Sequence, residues 1–353
     1  MKAMDRWFAV VMAGGRGERF WPLSLKTPKP FMRLFRGRSL LRMTFERLSR
    51  LLPPSHVLIA ITEELADRTK TELPELPPEN LIVEPEGKDT AACIGYSTLW
   101  VMLRREDAVV ACLPADHFVS EEESFTESLR FSFRLAESVE RIVTIGLKPR
   151  RPETAYGYIK AARLFDPSRH AYEVERFVEK PSLDKAIQFL EEGCYFWNSG
   201  IFVFRGDVLL RELREYMPEL AFGLEGIRDC LVHGVSERLK ALYRGLPRIS
   251  IDYGLMEKTK GILMVEGTFS WDDVGSWASL FRFLDKDEDG NFKDGPVHTI
   301  DTRNSLLLAL GVRTCVVGLS DVAVVASQDG VIVCPLDRAQ DVKGVVRGLE
   351  EGS

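Results

Sequence analysis

The chain has 353 residues, of which 45% are hydrophobic and 28% charged, with a net charge of −6 at pH 7. That balance describes a folded chain of about two domains and excludes disordered and collagen-like architectures. The negative balance also excludes a dedicated nucleic-acid binder. No apolar run reaches the ~18 residues of a membrane span. Trp7–Met12 is too short and too early for a signal-peptide core. Neither nucleic acid nor membrane is therefore an expected partner, and the expected location is cytoplasmic. Six cysteines (93, 112, 194, 230, 315 and 334) form no CxxC pair and read as reduced thiols in the core. Four Asn and three Gln in the whole chain are few, which points toward a hot source.

Read in chain order, the first 150 residues alternate strand and helix. Trp7–Met12 is a continuous apolar run ending in a Gly pair. Leu40–Leu52 has helical spacing with Ser39 as its N-cap. Strands are expected at His56–Ile61, Leu81–Val83, Ala108–Leu113 and Ile142–Ile145, and helices at Glu63–Leu73, Thr90–Leu103 and Ser124–Ser138. Ser120 and Glu123 have the spacing of a capping box for that last helix. Strands apolar on both faces and joined by helices make a doubly wound α/β sheet, mixed but mainly parallel. The middle region adds strand candidates Tyr158–Ala161, Glu173–Val178 and Gly200–Phe204. It also adds helices at Ser182–Glu191, Gly206–Tyr216, Glu219–His233 and Ser276–Leu284. An insertion of this kind at the carboxyl end of a sheet is where a substrate pocket forms.

Near residue 285 the composition changes to a polar, Gly-terminated linker, Asp285-Lys286-Asp287-Glu288-Asp289-Gly290. Short β-like runs follow at Val297–Ile300, Leu306–Leu310, Thr314–Val317, Val322–Ala326 and Val331–Cys334. The expected organisation is a catalytic domain over 1–285 and a small all-β domain over 290–345. The second carries no cluster of chemistry-bearing residues and is too small to bury much core alone.

The loop after the first strand reads Gly14-Gly15-Arg16-Gly17-Glu18-Arg19, and Thr27-Pro28-Lys29-Pro30 follows. Glycines let backbone N–H groups approach phosphate oxygens, and Arg19 and Lys29 add two fixed cations. A P-loop is excluded because no GK[ST] is present, and the GxGxxG dinucleotide fingerprint is excluded because Phe20 stands where its last Gly would. The remaining alternative is a surface loop with solvated charges.

This loop resembles that of the sugar-nucleotidyltransferases, which join an NTP and a sugar 1-phosphate. Further segments narrow the resemblance to the mannose-1-phosphate guanylyltransferases. They are Glu84-Pro85-Glu86-Gly87-Lys88-Asp89-Thr90, Leu113-Pro114-Ala115-Asp116-His117 and Tyr156-Gly157-Tyr158. Val178-Glu179-Lys180-Pro181, Trp197-Asn198-Ser199-Gly200, Ser250-Ile251-Asp252-Tyr253, Trp271-Asp272-Asp273-Val274-Gly275-Ser276-Trp277 and Asp341-Val342-Lys343 complete the set. The sequence departs from the family at Asp89 and Ala92, where Asn and Pro are commoner.

The resemblance implies transfer of GMP from GTP to α-D-mannose 1-phosphate, giving GDP-mannose and pyrophosphate. Attack on the α-phosphorus is in line, with Mg²⁺ and no covalent enzyme intermediate. Two strongly anionic substrates make charge neutralisation and positioning the main tasks, and an ionised phosphate nucleophile needs no general base. The resemblance assigns the nucleotide to Gly14, Gly15, Gly17, Arg19, Lys29, Glu84 and Thr90. It assigns the sugar phosphate to Gly157, Glu179, Lys180, Asn198 and Asp252. Arg19, Lys29 and Asp116 are the expected catalytic residues. Asp116 and Asp273 are the expected metal ligands, with Asp272 as a competitor for the second position. Taken alone, Asp116 also reads as a helix cap or turn residue, and Asp273 as a helix cap. Guanine offers two donors that the Glu84 carboxylate could accept. Another NTP or hexose phosphate is the nearest rival, and a non-catalytic sensor of NDP-sugar the more distant one. Longer relatives continue into an isomerase domain, so hexose-phosphate isomerisation is not expected here. The small C-terminal unit is expected to pack on the main domain or on a second subunit, which would make a homodimer through that domain.

Overall fold

The computed structural model describes residues 3–15, 17–35 and 37–351, so Arg16 of the glycine-rich loop lies outside the described residues. The chain folds into two compact units. The first comprises Met1–Gly14, Thr44–Ala115 and Val119–Trp271; the second comprises Gly15–Met43, Asp116–Phe118 and Asp272–Ser353. Both are discontinuous in sequence. The second joins the segment after the first strand to the C-terminal strands.

The first unit is built on a nine-stranded mixed sheet. Its strands are β1 (Trp7–Met12), β2 (Val57–Thr62), β3 (Leu81–Glu84), β4 (Val109–Pro114), β5 (Val143–Leu147), β6 (Tyr158–Asp166), β7 (Ala171–Val178), β8 (Tyr195–Arg205) and β9 (Leu263–Gly267). The spatial order is β3-β2-β1-β4-β8-β5-β9-β7-β6. β3, β2, β1 and β4 run parallel, and β1, β2 and β4 are buried on both faces. β8 then enters antiparallel to both β4 and β5, and β5 pairs parallel with β9. Val10, Leu58, Ile82, Val110 and Phe204 are buried in one large core with helix residues Ile94, Leu209 and Leu220. Pairing of Met12 with Pro114 brings the carboxyl ends of β1 and β4 to the same edge, the edge at which parallel sheets bind ligands.

Most expected elements are present, with corrections at their ends. The helix after Ser120 begins at Glu122 and has no side-chain cap. The Ser120 hydroxyl instead donates to the Glu121 carboxylate, which also accepts from the Ser270 N–H, so the expected capping box does not form. A capping box occurs at Ser276 and Ser279, where the expected helix is confined to Trp277–Phe281. The strand Leu263–Gly267 and the helix Ser236–Arg244 lie outside the sequence reading.

The second unit holds strands β10 (Phe292–Asp294), β11 (Val297–Ile300), β12 (Leu306–Leu310), β13 (Thr314–Val317), β14 (Val322–Ser327) and β15 (Gly330–Pro335). Parallel pairs β10–β12, β12–β14 and β11–β13 join successive turns of the chain, and β14–β15 is an antiparallel hairpin. The expected all-β character is completed by a C-terminal helix, Val342–Glu351. Phe20, Met32, Phe35 and Leu40 share one core with Trp277, Leu306, Val325 and Val342. The segment after the glycine loop is therefore part of the same hydrophobic cluster as the C-terminal strands. Among the described residues, no helix is long and apolar enough to cross a membrane.

Candidate active site

A pocket of about 290 Å³ in the second unit is lined by Gly17, Arg19, Lys29, Asp116, Asp273 and Lys343, among others. Gly17 has φ 72°, a conformation that disfavours any side chain, and a Cβ there would lie 2.6 Å from the Lys29 Cβ. That close approach presses the lysine-bearing turn Lys29–Phe31 against the loop. Lys29 is almost fully buried. Its Nζ lies 2.8 Å from Asp116 Oδ2 and donates to the Asp273 carbonyl at 2.5 Å. A buried ammonium is tolerable only with such partners. Burial pushes the Asp116 carboxyl up, but the charges of Lys29 and His117 outweigh it and hold the group below its ordinary value. Arg19 also lines the pocket, and its Nε is buried without a hydrogen-bond partner among the described residues. A buried donor left unmade is a cost that an anion in the pocket would remove.

The acidic pair at 272–273 divides its work. Asp272 is fully buried; its Oδ1 accepts from the Val274 N–H at 2.8 Å and its Oδ2 pairs with Arg282 at 2.7 Å. It fixes a turn in which Val274 adopts φ 48°. Asp273 is the one that lines the pocket. Asp116 and Asp273 thus face the same cavity, which offers hard oxygen donors and room for phosphate oxygens. That donor set fits Mg²⁺, which takes one or two carboxylates and completes its shell with water and phosphate.

The five residues expected at the sugar phosphate come together in the first unit. The Asn198 N–H donates to the Gly157 carbonyl at 2.8 Å, and the Asn198 Nδ2 donates to Asp252 Oδ1 at 3.0 Å. The Lys180 Nζ contacts Glu179 Oε1 at 2.5 Å, and the Lys180 N–H donates to the Tyr156 carbonyl at 3.2 Å. A Cβ at Gly157 would lie 2.5 Å from Glu179 Oε2, so only glycine lets that carboxylate occupy its position. Burial, then the Glu179 charge, push the Asp252 carboxyl up to about 7. Burial lowers the Lys180 ammonium, but Glu179 more than compensates and raises it.

The chain matches the family model for nucleotidyl transferases over residues 8–290 and that for a MannoseP isomerase/GMP-like beta-helix domain over 295–349. It is 36% identical over 345 residues to a mannose-1-phosphate guanylyltransferase of Sinorhizobium fredii, covering 96% of this chain and 67% of that protein. It is 34% identical to one of Klebsiella pneumoniae, covering 97% of this chain and 74% of that one. The chain belongs to the mannose-1-phosphate guanylyltransferases within the nucleotidyl transferase family. A solved structure from Thermus thermophilus, described as a mannose-1-phosphate geranyltransferase, superposes with a TM-score of 0.85 at 38% identity, covering 98% and 99% of the two chains. The guanylyltransferase fold therefore extends over both compact units, and the loop, the Asp116 turn and the Asp272–Asp273 turn lie within the nucleotidyl transferase match.

Two of the residues expected at the nucleotide have partners within the protein. Glu84 is buried at the end of β3, where its carboxylate accepts from the Tyr243 hydroxyl at 2.5 Å. Burial raises this carboxyl, only partly offset by hydrogen bonds from Tyr243 and Cys93. It is thus a core group that accepts from tyrosine through one of its two carboxylate oxygens. The Thr90 hydroxyl accepts from the Ile251 N–H at 2.8 Å, which fixes the start of the helix Thr90–Arg104. Sequence reasoning missed Lys343, and with it the part the C-terminal helix takes in the pocket. The available signal was a lysine in a family motif, with nothing in its local sequence to separate it from other surface lysines.

Proposed function

We propose that this chain transfers GMP from GTP to α-D-mannose 1-phosphate, releasing pyrophosphate and forming GDP-mannose. The observation that carries the reading is the buried Lys29, held by Asp116 and the Asp273 carbonyl beside the unpartnered Nε of Arg19 in one pocket. In this reading the glycine loop, Arg19 and Lys29 bind the triphosphate and stabilise the charge that grows on departing pyrophosphate. Fixed, partly desolvated cations suit that task because they need no reorganisation as charge shifts. Gly14, Gly15 and Gly17 supply backbone donors without side chains in the way. Asp116 and Asp273 would hold a divalent cation, Mg²⁺, which when bound neutralises phosphate charge.

Glu179, Asn198 and Asp252 would orient the sugar through its hydroxyls, and Lys180 would bind its phosphate. Asp252, with a pKa of about 7, can be present as the protonated acid and so donate as well as accept. The nucleophile is the phosphate oxygen of the sugar phosphate, already ionised, so the residues position rather than deprotonate it. The expected setting of the reaction is the cytoplasm.

Pyrophosphate release measured across four NTPs and several hexose 1-phosphates tests this function. The expected result is turnover greatest with GTP and mannose 1-phosphate and lost when divalent metal is chelated. Equal turnover with another pair would reassign the substrates, and absence of turnover with every pair would overturn the function.

A further inference from the structure

The helix Val342–Glu351 delivers one side chain to the phosphate pocket. Lys343 lines it with Arg19 and Lys29, and its Nζ lies 3.1 Å from Glu18 Oε2. The two lysines are held very differently. Lys29 has a side chain 9% exposed and is fixed by Asp116 and a carbonyl, whereas Lys343 is 38% exposed and its acidic partner 42%. An exposed lysine–glutamate pair is among the least stabilising ion pairs, while phosphate oxygens offer an ammonium a stronger charge-assisted partner. The neighbours of these two charges are nevertheless rigid. Phe20, which follows Arg19, and Val342, which precedes Lys343, are buried in the same hydrophobic cluster. The apolar core thus holds the backbones of the loop and the helix while the Lys343 side chain extends from it, partly exposed.

We propose that Lys343 is a phosphate-binding residue of the transferase. It exchanges Glu18 for the β- and γ-phosphates of the nucleotide and for the pyrophosphate they become. Glu18 is its resting counter-ion. This inference rests on the reading of the pocket as the triphosphate site, and it makes the C-terminal unit part of the catalytic machinery. A purely structural clasp is the competing account. The two differ in sign at Glu18. A clasp is broken equally from either side, whereas a resting counter-ion competes with the ligand, so its removal frees the lysine.

Isothermal titration of the intact chain with inorganic pyrophosphate in the presence of Mg²⁺ separates them. Lys343→Met should weaken binding on the order of tenfold or more. Lys343→Arg should retain most of the affinity, and Glu18→Gln should bind at least as tightly as the native chain. Lys343→Gln reports the same loss of charge if the Met variant fails to fold. Native affinity in both charge-loss variants, or equal weakening by Glu18→Gln, would overturn the proposal. A native chain that binds no pyrophosphate would overturn the reading of the pocket itself.

Discussion

The pocket around Lys29 and the cluster around Asp252 balance their charges differently. In the pocket, a buried ammonium is compensated by one carboxylate and one carbonyl, and an arginine Nε lacks a partner. In the cluster, two carboxylates, Glu179 and Asp252, are near enough that one raises the other, with a single lysine beside them. The pocket lining carries three carboxylates, Glu18, Asp116 and Asp273, against three cations, Arg19, Lys29 and Lys343, so acids that would hold a metal stand beside donors for a polyphosphate. The cluster has acceptors in excess, which suits hydroxyl groups, and burial with the Glu179 charge pushes one of its carboxyls up to about 7. Charge in the pocket is balanced, whereas in the cluster the carboxylates outnumber the lysine.

The contrast breaks first at the acids of the pocket. Asp116→Asn and Asp273→Asn should each lower kcat/KM by roughly 10³, a few kcal/mol of charge stabilisation. Together they should be little worse than either alone, because residues that act as a unit are non-additive. Asp272→Asn should instead cost stability, about 1–3 kcal/mol, through its weakened contact with Arg282. Pyrophosphate release against Mg²⁺ concentration, with a melting curve for each variant, checks all four. A crippled but stable Asp272→Asn beside an active Asp273→Asn would reverse the assignment.

Next come the cations. Arg19→Ala and Lys29→Ala should each slow turnover by roughly 10²–10³. Lys29→Ala has a further signature, since Asp116 then keeps its burial and loses the charge that holds its carboxyl low. Residual activity of that variant should climb with pH over a range where the native enzyme is flat. A pH–rate profile with no such displacement would show that Lys29 does not control Asp116.

The cluster is sharpened by a smaller change. In Gly157→Ala the added methyl would sit 2.5 Å from Glu179 Oε2 and must displace it. KM for mannose 1-phosphate should rise by roughly 10-fold, in line with 1–3 kcal/mol of overpacking, and KM for GTP should not move. Equal changes in both would indicate general damage rather than a sugar contact.

The smallest effect is read in stability. Asp252 is pushed up to about 7 from an ordinary value of 3.8, first by burial and then by Glu179. The folded state therefore holds this proton more tightly than the unfolded chain. Its stabilising share is complete below about pH 4 and is lost as pH rises through 7. Asp252→Asn cannot ionise, so its Tm relative to the native chain should improve by a few degrees between pH 5 and pH 8. A constant difference across that range would mean that Asp252 is ionised throughout.

Glycine spacing and the placement of Arg19 and Lys29 determine the loop by themselves, because backbone access to phosphate depends on residues only a few positions apart. The two-sided apolar runs likewise mark the buried strands of the first unit, but not their direction, since Tyr195–Arg205 is equally buried and pairs antiparallel. The division of Asp272 from Asp273 was legible only through the family register. What settles it physically is Arg282 and the Val274 N–H, which draw one carboxylate into the core. Glu84 illustrates the limit. Its carboxylate accepts from Tyr243, 159 residues away in sequence, and no local pattern encodes that contact. The same holds for the capping box displaced from Ser120 to Ser276 and for Lys343. Local chemistry fixes which side chains can serve a phosphate. Only long-range packing, here the cluster that holds both Phe20 and Val342, decides which of them reach it.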